Sequence, residues 1–156
     1  MNLYLDFLLK NIVPALVIAI LTSIITVRLS IKQFYTQKWW EKKADTYSKI
    51  IEELSYLQFY FGELFDEGIQ IKHISEEERE DLYKRHKNSK QLIFKSFASG
   101  AYIISNKSIK ALERLIKSLE EEKTNCHFTD NYDRWYGATK ECIQEIREEA
   151  KRDLKR

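Results

Sequence analysis

The chain is poor in residues that break helices and lacks the common catalytic motifs. It has one proline and four glycines among 156 residues, a composition that favours helices joined by short loops. It has no glycine-rich phosphate loop, no nucleophile elbow and no zinc-type spacing of its two cysteines and three histidines, and we expect neither a cofactor nor a metal site. The net charge is only +2, so no strong basic field indicates nucleic acid as the main partner.

One stretch lacks charge altogether, although 32% of all residues are charged. It lies between Lys10 and Arg28 and reads NIVPALVIAILTSIITV, about 17 residues, which is close to the minimum for a helix that crosses a bilayer. A cleaved signal peptide would have a basic start, a shorter apolar core and a small-residue cleavage site. A buried core helix is the other alternative, but no other segment is apolar enough to surround one. We therefore predict an N-terminal segment and transmembrane helix over residues 1–30, followed by a domain over residues 31–156.

The start of the span has two possible forms. Asn11 can cap the helix, which would place Pro14 in the first turn, where its missing N–H does no harm. If the helix instead runs unbroken from Asn2, Pro14 would kink it. The sequence leaves both forms open.

The charges on either side of the span predict its orientation. Lys10 is the only charged residue directly before the span, whereas five basic residues follow it closely: Arg28, Lys32, Lys38, Lys42 and Lys43. The positive-inside rule therefore places the N-terminus outside and the rest of the chain in the cytoplasm. An aromatic group on the cytoplasmic side, at the depth of the lipid headgroups, is predicted to lie at the membrane interface: Phe34, Tyr35, Trp39 and Trp40. For the two tryptophans, packing or a subunit contact fits equally well.

The remainder of the chain is predicted to be helical. No breaker lies between Val27 and Gly62, so the span continues as a stalk that ends at Gly68. Residues 69–74 alternate like a strand, but a lone short strand has no partner, and we predict a loop there. Three further helices are predicted, one after the Ser75/Glu78 capping box and ending near Ser99, one from Ser105, and one from Thr129 or Asp130. The fold class is therefore all-α, with the transmembrane helix continuing into a cytosolic antiparallel bundle.

The stalk has more aromatic residues than one buried stripe needs. The period of 3.6 residues predicts a buried stripe of Trp40, Ala44, Tyr47, Ile51, Leu54, Leu57, Phe61 and Phe65. Phe59 and Tyr60 lie outside this stripe, and we expect such residues to contact a neighbouring subunit.

Small and hydroxyl residues recur within the predicted span. Ala15, Ala19 and Ser23 follow a four-residue spacing that lets two helices approach closely, so they are candidates for a contact between membrane helices. Small residues are also common in membrane helices without any such role. If several copies form a ring, the candidates for lining a pore are Thr22, Thr26, Arg28 and Ser30. For Arg28, an anchoring role at the lipid headgroups is the favoured alternative.

Arg79 and His86 are separated by six residues and lie on nearly one face of a predicted helix. This spacing resembles the motif of HEPN-type RNases, all-α domains that pair two protomers to form a metal-independent site. The resemblance implies that Arg79 would bind phosphate and His86 would help to move the proton of the 2′-hydroxyl. Glu80 departs from that motif and would repel phosphate. A hydrogen-bonded histidine inside the bundle is the favoured alternative, because His86 lies on the apolar stripe from Leu82 to Ile93.

The layout of the whole chain resembles the CRISPR-associated membrane accessory proteins of type VI systems, which have a divergent HEPN-like domain. The resemblance is carried by the span from Asn11 to Val27, the stretch Lys38-Trp39-Trp40-Glu41-Lys42-Lys43, and Arg79 with His86. It implies a single-pass protein of the bacterial inner membrane that forms a homo-oligomer and breaches the membrane when an antiviral effector complex is triggered.

Three functions follow as expectations. The first is a homo-oligomeric, non-enzymatic protein that forms a pore or disrupts the membrane in antiviral defence, with the lipid bilayer and further copies of itself as partners. The second is a membrane-tethered HEPN-like RNase, which would make nucleic acid a partner. The third is a membrane sensor or scaffold without enzymatic activity.

Overall fold

The computed structural model describes residues 7, 10, 12–100, 102–121 and 128–155. These residues form four helices and no strand, which confirms the all-α class. The helices are α1 (Val13–Gly68), α2 (Glu76–Gly100), α3 (Asn106–Glu120) and α4 (Phe128–Asp153). The chain divides into two compact units, Met1–Glu41 and Lys42–Arg156. The predicted boundary after residue 30 marks the end of the apolar stretch, whereas the boundary after Glu41 separates two compact units.

The predicted capping box of α2 is confirmed, and Ser105, the predicted start of α3, is the N-cap of that helix. The Ser75 N–H donates to Glu78 Oε2 at 3.0 Å, and the Glu78 N–H donates to Ser75 Oγ at 3.3 Å, as a capping box requires. Before α3, the Ser108 N–H donates to Ser105 Oγ at 3.2 Å. Hydroxyl and carboxylate oxygens therefore pair N–H groups that have no partner within the helix.

Helix α1 begins at Val13, which makes Pro14 its second residue, but the described residues just before it, Phe7, Lys10 and Ile12, are also helical. The proposed cap at Asn11 lies outside the described residues.

Helix α1 ends at Gly68 as predicted, but for a different reason. A glycine at the end of a helix is commonly in the left-handed conformation, whereas here the residue with positive φ is Gln70, at 62°. Gly68 is required by close packing, because a Cβ there would lie 2.3 Å from Thr129 Cγ2. The glycine lets the end of α1 approach the start of α4. Residues 69–74 contain no strand, as predicted.

The first unit contains the apolar part of α1. By length and composition, this helix can cross a membrane, since its most apolar window of 18 residues has a mean hydropathy of 2.0 and none of that window is buried. Apolar side chains on every side of the helix are exposed, among them Leu16, Ile18, Ile20 and Ile25. An exposed apolar surface that surrounds a helix is typical of a segment in contact with lipid.

The second unit has one hydrophobic core to which all four helices contribute. Ile50, Leu54, Leu112 and Ile146 are completely buried there. The stripe predicted on α1 is partly wrong: Trp40 is exposed and belongs to the first unit, while Ala44, Ile51 and Phe65 are only half-buried. Buried positions that the prediction missed are Ile50, Glu53, Tyr60 and Leu64.

Candidate functional site

The candidate contact and pore residues of α1 share one side of the helix. At about 100° per residue, six of them fall within an arc roughly 100° wide: Ala15, Ala19, Thr22, Ser23, Thr26 and Ser30. All of these side chains are exposed. One face therefore combines small side chains, which permit close approach of another helix, with hydroxyl groups that can meet water.

Three hydroxyl groups on this arc donate to the backbone of their own helix. Thr22 Oγ1 donates to the Ile18 carbonyl, Ser23 Oγ to the Ala19 carbonyl, and Thr26 Oγ1 to the Thr22 carbonyl, each at 2.8 Å. Each of these hydroxyl protons is therefore hydrogen-bonded within its own helix and needs no neighbouring helix as a partner. This lowers the free-energy cost of exposing the hydroxyl groups to lipid. The oxygen atoms keep lone pairs that can still accept from water or a second helix.

Arg28 lies away from this arc. The helical rotation places it roughly 170° from the centre of the arc, with its side chain exposed. Its direction fits an anchor that reaches the lipid headgroups better than a residue at the mouth of a pore.

The four aromatic residues after the span surround the helix. Phe34, Tyr35, Trp39 and Trp40 are all exposed, and the rotation of the helix directs them around its axis rather than along one stripe. The rings of Phe34 and Tyr35 meet edge to face, with 6.0 Å between centroids, and Lys38 Nζ lies 5.9 Å from the centre of the Phe34 ring. Rings on all sides of one helix are the arrangement expected at a lipid headgroup layer.

Arg79 is engaged in an ion pair with Glu67 of α1. It lines an open cleft of about 720 Å³ together with Tyr60, Leu64, Glu76, Glu77, Glu80, Tyr83 and Tyr132. Three carboxylates and one guanidinium line this cleft, so its charge repels a phosphate group.

His86 lines a different and smaller pocket. Its ring stacks on that of Tyr60, with 4.1 Å between centroids and 11° between planes. Burial, with a smaller contribution from the Lys90 ammonium, lowers the pKa of His86 to about 4, so the ring is neutral near pH 7. The expected hydrogen bond is missing at Nδ1, which is buried and has no partner among the described residues.

The structure also revises the expected subunit contact on the stalk. Phe59 is half exposed, but Tyr60 is only 9% exposed and packs against His86 within the second unit. Of this pair, Phe59 alone is available to a neighbour.

Sequence reasoning missed the aromatic surroundings of His86. Phe61 and Trp135 lie 5.5 Å apart, and Tyr132 and Trp135 lie 5.7 Å apart, measured between ring centroids. Phe61 belongs to α1, whereas Tyr132 and Trp135 belong to α4, and no spacing in the sequence relates the two helices. Within the described part of the chain, no group of three His, Cys, Asp or Glu side chains is placed to hold a metal ion; Cys126 and His127 lie outside it.

No protein-family model matches this chain, and no curated protein or solved structure is significantly similar to it.

Proposed function

We propose that the chain is a membrane-anchored protein that assembles with copies of itself and forms a pore or disrupts the membrane. The observation that carries the proposal is the arc of small and hydroxyl side chains on an apolar, unburied helix. The described residues contain one candidate span, so a face of this kind is best covered by a helix of another copy.

The chemistry of the arc suits a ring of helices. Ala15, Ala19 and Ser23 let neighbouring helices approach, and van der Waals packing drives association in lipid, where the hydrophobic effect between helices is absent. Thr22, Thr26 and Ser30 alternate with these residues on the same arc, so they would lie at the inner edge of the helix contacts, where their oxygen atoms can accept hydrogen bonds from water. Leucine and isoleucine side chains on the other sides would face lipid. Arg28 is assigned to the headgroup layer outside the ring.

The proposal includes a location and an orientation. By the positive-inside rule, the basic residues after the span support an outer N-terminus and a cytoplasmic second unit, whose helices would form an antiparallel bundle. By its resemblance to type VI CRISPR-associated membrane proteins, the chain would act in the bacterial inner membrane as an antiviral effector, with a triggering complex as a further partner.

We do not extend the proposal to RNA cleavage. Arg79 is paired with Glu67 and stands among carboxylates, while His86 lines another pocket. Arg79 would have to leave its ion pair before it could bind phosphate. Metal-independent cleavage of RNA by the purified protein, abolished by His86→Ala, would restore the catalytic alternative.

Release of a dye from liposomes tests the proposal. Purified full-length protein, reconstituted at increasing density, is expected to release a small dye entrapped in the vesicles. The double variant Thr22→Val/Thr26→Val keeps the volume of the arc and removes its hydroxyl groups, so release should fall. Ile24→Val, on the opposite side of the helix, is the control and should leave release unchanged. Vesicles that stay intact at high protein density would contradict pore formation and favour an anchored scaffold.

A further inference from the structure

A small pocket in the second unit is walled by aromatic rings. It has a volume of about 170 Å³ and is lined by Tyr60, Phe61, His86, Lys90, Leu119, Tyr132 and Trp135. A cavity of roughly 150 Å³ with apolar walls is large enough to bind benzene. The size of this pocket therefore suits a single ring of five or six atoms.

The walls offer faces and edges to such a ring. Tyr60 stacks on His86, and Trp135 meets Tyr132 edge to face at 64°. The indole N–H of Trp135 already donates to the Ser118 carbonyl at 3.0 Å, which holds the indole in place. Aromatic rings pack favourably against such walls in stacked or edge-to-face geometry, beyond the effect of buried area alone.

The charge of the pocket selects an anion. Lys90 has no ion pair and no hydrogen bond within the described residues, and it lies one helical turn after His86, on the same face of α2. Among the described residues, no carboxylate lines this pocket, in contrast to the cleft around Arg79. An ammonium group at the edge of an apolar pocket, without a carboxylate beside it, favours a negatively charged ligand.

We propose that this pocket binds a single planar aromatic ring that carries an anionic group, either a carboxylate or a phosphate. The ring packs among Tyr60, Tyr132 and Trp135, and the anionic group binds the ammonium of Lys90. This site belongs to the second unit and is independent of pore formation.

Ligand-detected NMR can test the proposal on the full-length protein in detergent. Benzoate and phenyl phosphate are the probes, and saturation transfer to their ring protons reports binding. Benzamide keeps the ring without the charge, and cyclohexanecarboxylate keeps the charge without the aromatic ring. Both controls are expected to bind about tenfold more weakly than the better probe, and whichever probe binds more tightly identifies the anionic group. Failure of both probes to bind at 10 mM, or binding of either control as tight as that of the better probe, would overturn the proposal.

Variants of α2 locate the anion. Lys90→Gln is expected to weaken binding of the better probe about tenfold, the loss of one charge-assisted hydrogen bond, while Lys87→Gln, an exposed lysine outside the pocket, should leave it unchanged. Lys90→Glu should reverse the preference, so that benzylamine binds more tightly than benzoate. If the two glutamine variants have equal effects, or if Lys90→Glu still prefers benzoate, the anion does not bind at this pocket.

Discussion

The hydroxyl of Tyr47 in α1 donates a hydrogen bond to Oδ2 of Asp153 at the end of α4, over 2.9 Å. The other carboxylate oxygen binds Lys43 Nζ at 3.0 Å. The Tyr47 oxygen also accepts from the Ser105 N–H, at 3.0 Å, directly before α3. The side chain of Tyr47 is only 1% exposed. One phenol thus joins α1 to the start of α3 and the end of α4.

Tyr47→Phe is expected to destabilise the second unit by about 1–3 kcal/mol, because it leaves a partly buried carboxylate oxygen and a backbone N–H without this partner. Thermal unfolding of the full-length protein in detergent, followed by circular dichroism, measures the loss. Tyr83→Phe is the control, since Tyr83 is largely exposed, and it should change stability by less than about 0.5 kcal/mol. Equal effects of the two variants would show that the hydroxyl of Tyr47 contributes nothing of its own.

Replacement of glycine by alanine is expected to have opposite effects on stability at Gly68 and at Gly137. Gly68→Ala would bring a Cβ within 2.3 Å of Thr129 Cγ2 and should cost about 1–3 kcal/mol as the end of α1 is pushed from α4. Gly137→Ala places its Cβ in open space within α4 and should stabilise by about 0.5–1 kcal/mol, since alanine favours a helix over glycine. The unfolding temperatures of the two variants, compared with that of the natural chain, test both expectations. Stabilisation by Gly68→Ala would contradict the close packing of α1 against α4.

His86 predicts a loss of stability in acid. Its pKa in the folded protein is lowered to about 4, whereas the unfolded chain binds a proton near the ordinary value of about 6.5. Between these two values the unfolded state binds more protons, so the free energy of unfolding falls as the pH decreases through this window. Because the ring is only about half-buried, solvent screening reduces the effect to roughly 1–2 kcal/mol.

The variant His86→Gln separates this effect from the titration of carboxylates. The decrease in the free energy of unfolding between pH 7 and pH 4.5 should be smaller in the variant than in the natural chain. Denaturant titrations at the two pH values measure it. Identical decreases would mean that His86 takes up its proton equally well in both states.

The arc on the apolar part of α1 predicts which substitutions weaken assembly. Ala19→Leu and Ser23→Leu would separate the packed helices, and the dissociation constant of the oligomer in detergent should rise at least about fivefold. Val17→Leu enlarges a residue on the opposite side of the helix and serves as the control. Energy transfer between labelled subunits gives the constants. An equal loss for all three variants would contradict an assembly face on this arc.

Local signals predicted the helix limits well. The capping box at Ser75, the helix start at Ser105 and the absence of breakers before Gly62 depend on residues close in sequence. The structure has helices that begin or end within two residues of the predicted limits. The end at Gly68 was predicted for the wrong reason, because contact with Thr129 depends on a distant helix.

Burial on the stalk was harder to predict because apolar residues occupy several sides of it. Periodicity favoured Ile51, yet Ile50 is the fully buried neighbour. Glu53 is also buried, since Arg85 of α2 reaches it, with Nη1 3.1 Å from its Oε2. Which side of such a helix is covered depends on its neighbours, and the sequence of the helix alone does not contain that information.

The candidate site residues likewise include some that the sequence predicts and some that it does not. The arc on α1 could be read from the sequence, because it follows from helical geometry alone. The pocket around His86 could not, because Tyr60, Leu119 and Trp135 belong to three different helices. The contact between Tyr47 and Asp153 likewise joins residues 106 positions apart.

The mass of the full-length protein in detergent tests the central claim most directly. Native mass spectrometry, with the detergent removed in the gas phase, counts the subunits in each complex. A ring of one defined stoichiometry is the predicted result. A monomer over the whole range of protein concentrations would contradict the proposed assembly, and with it the pore.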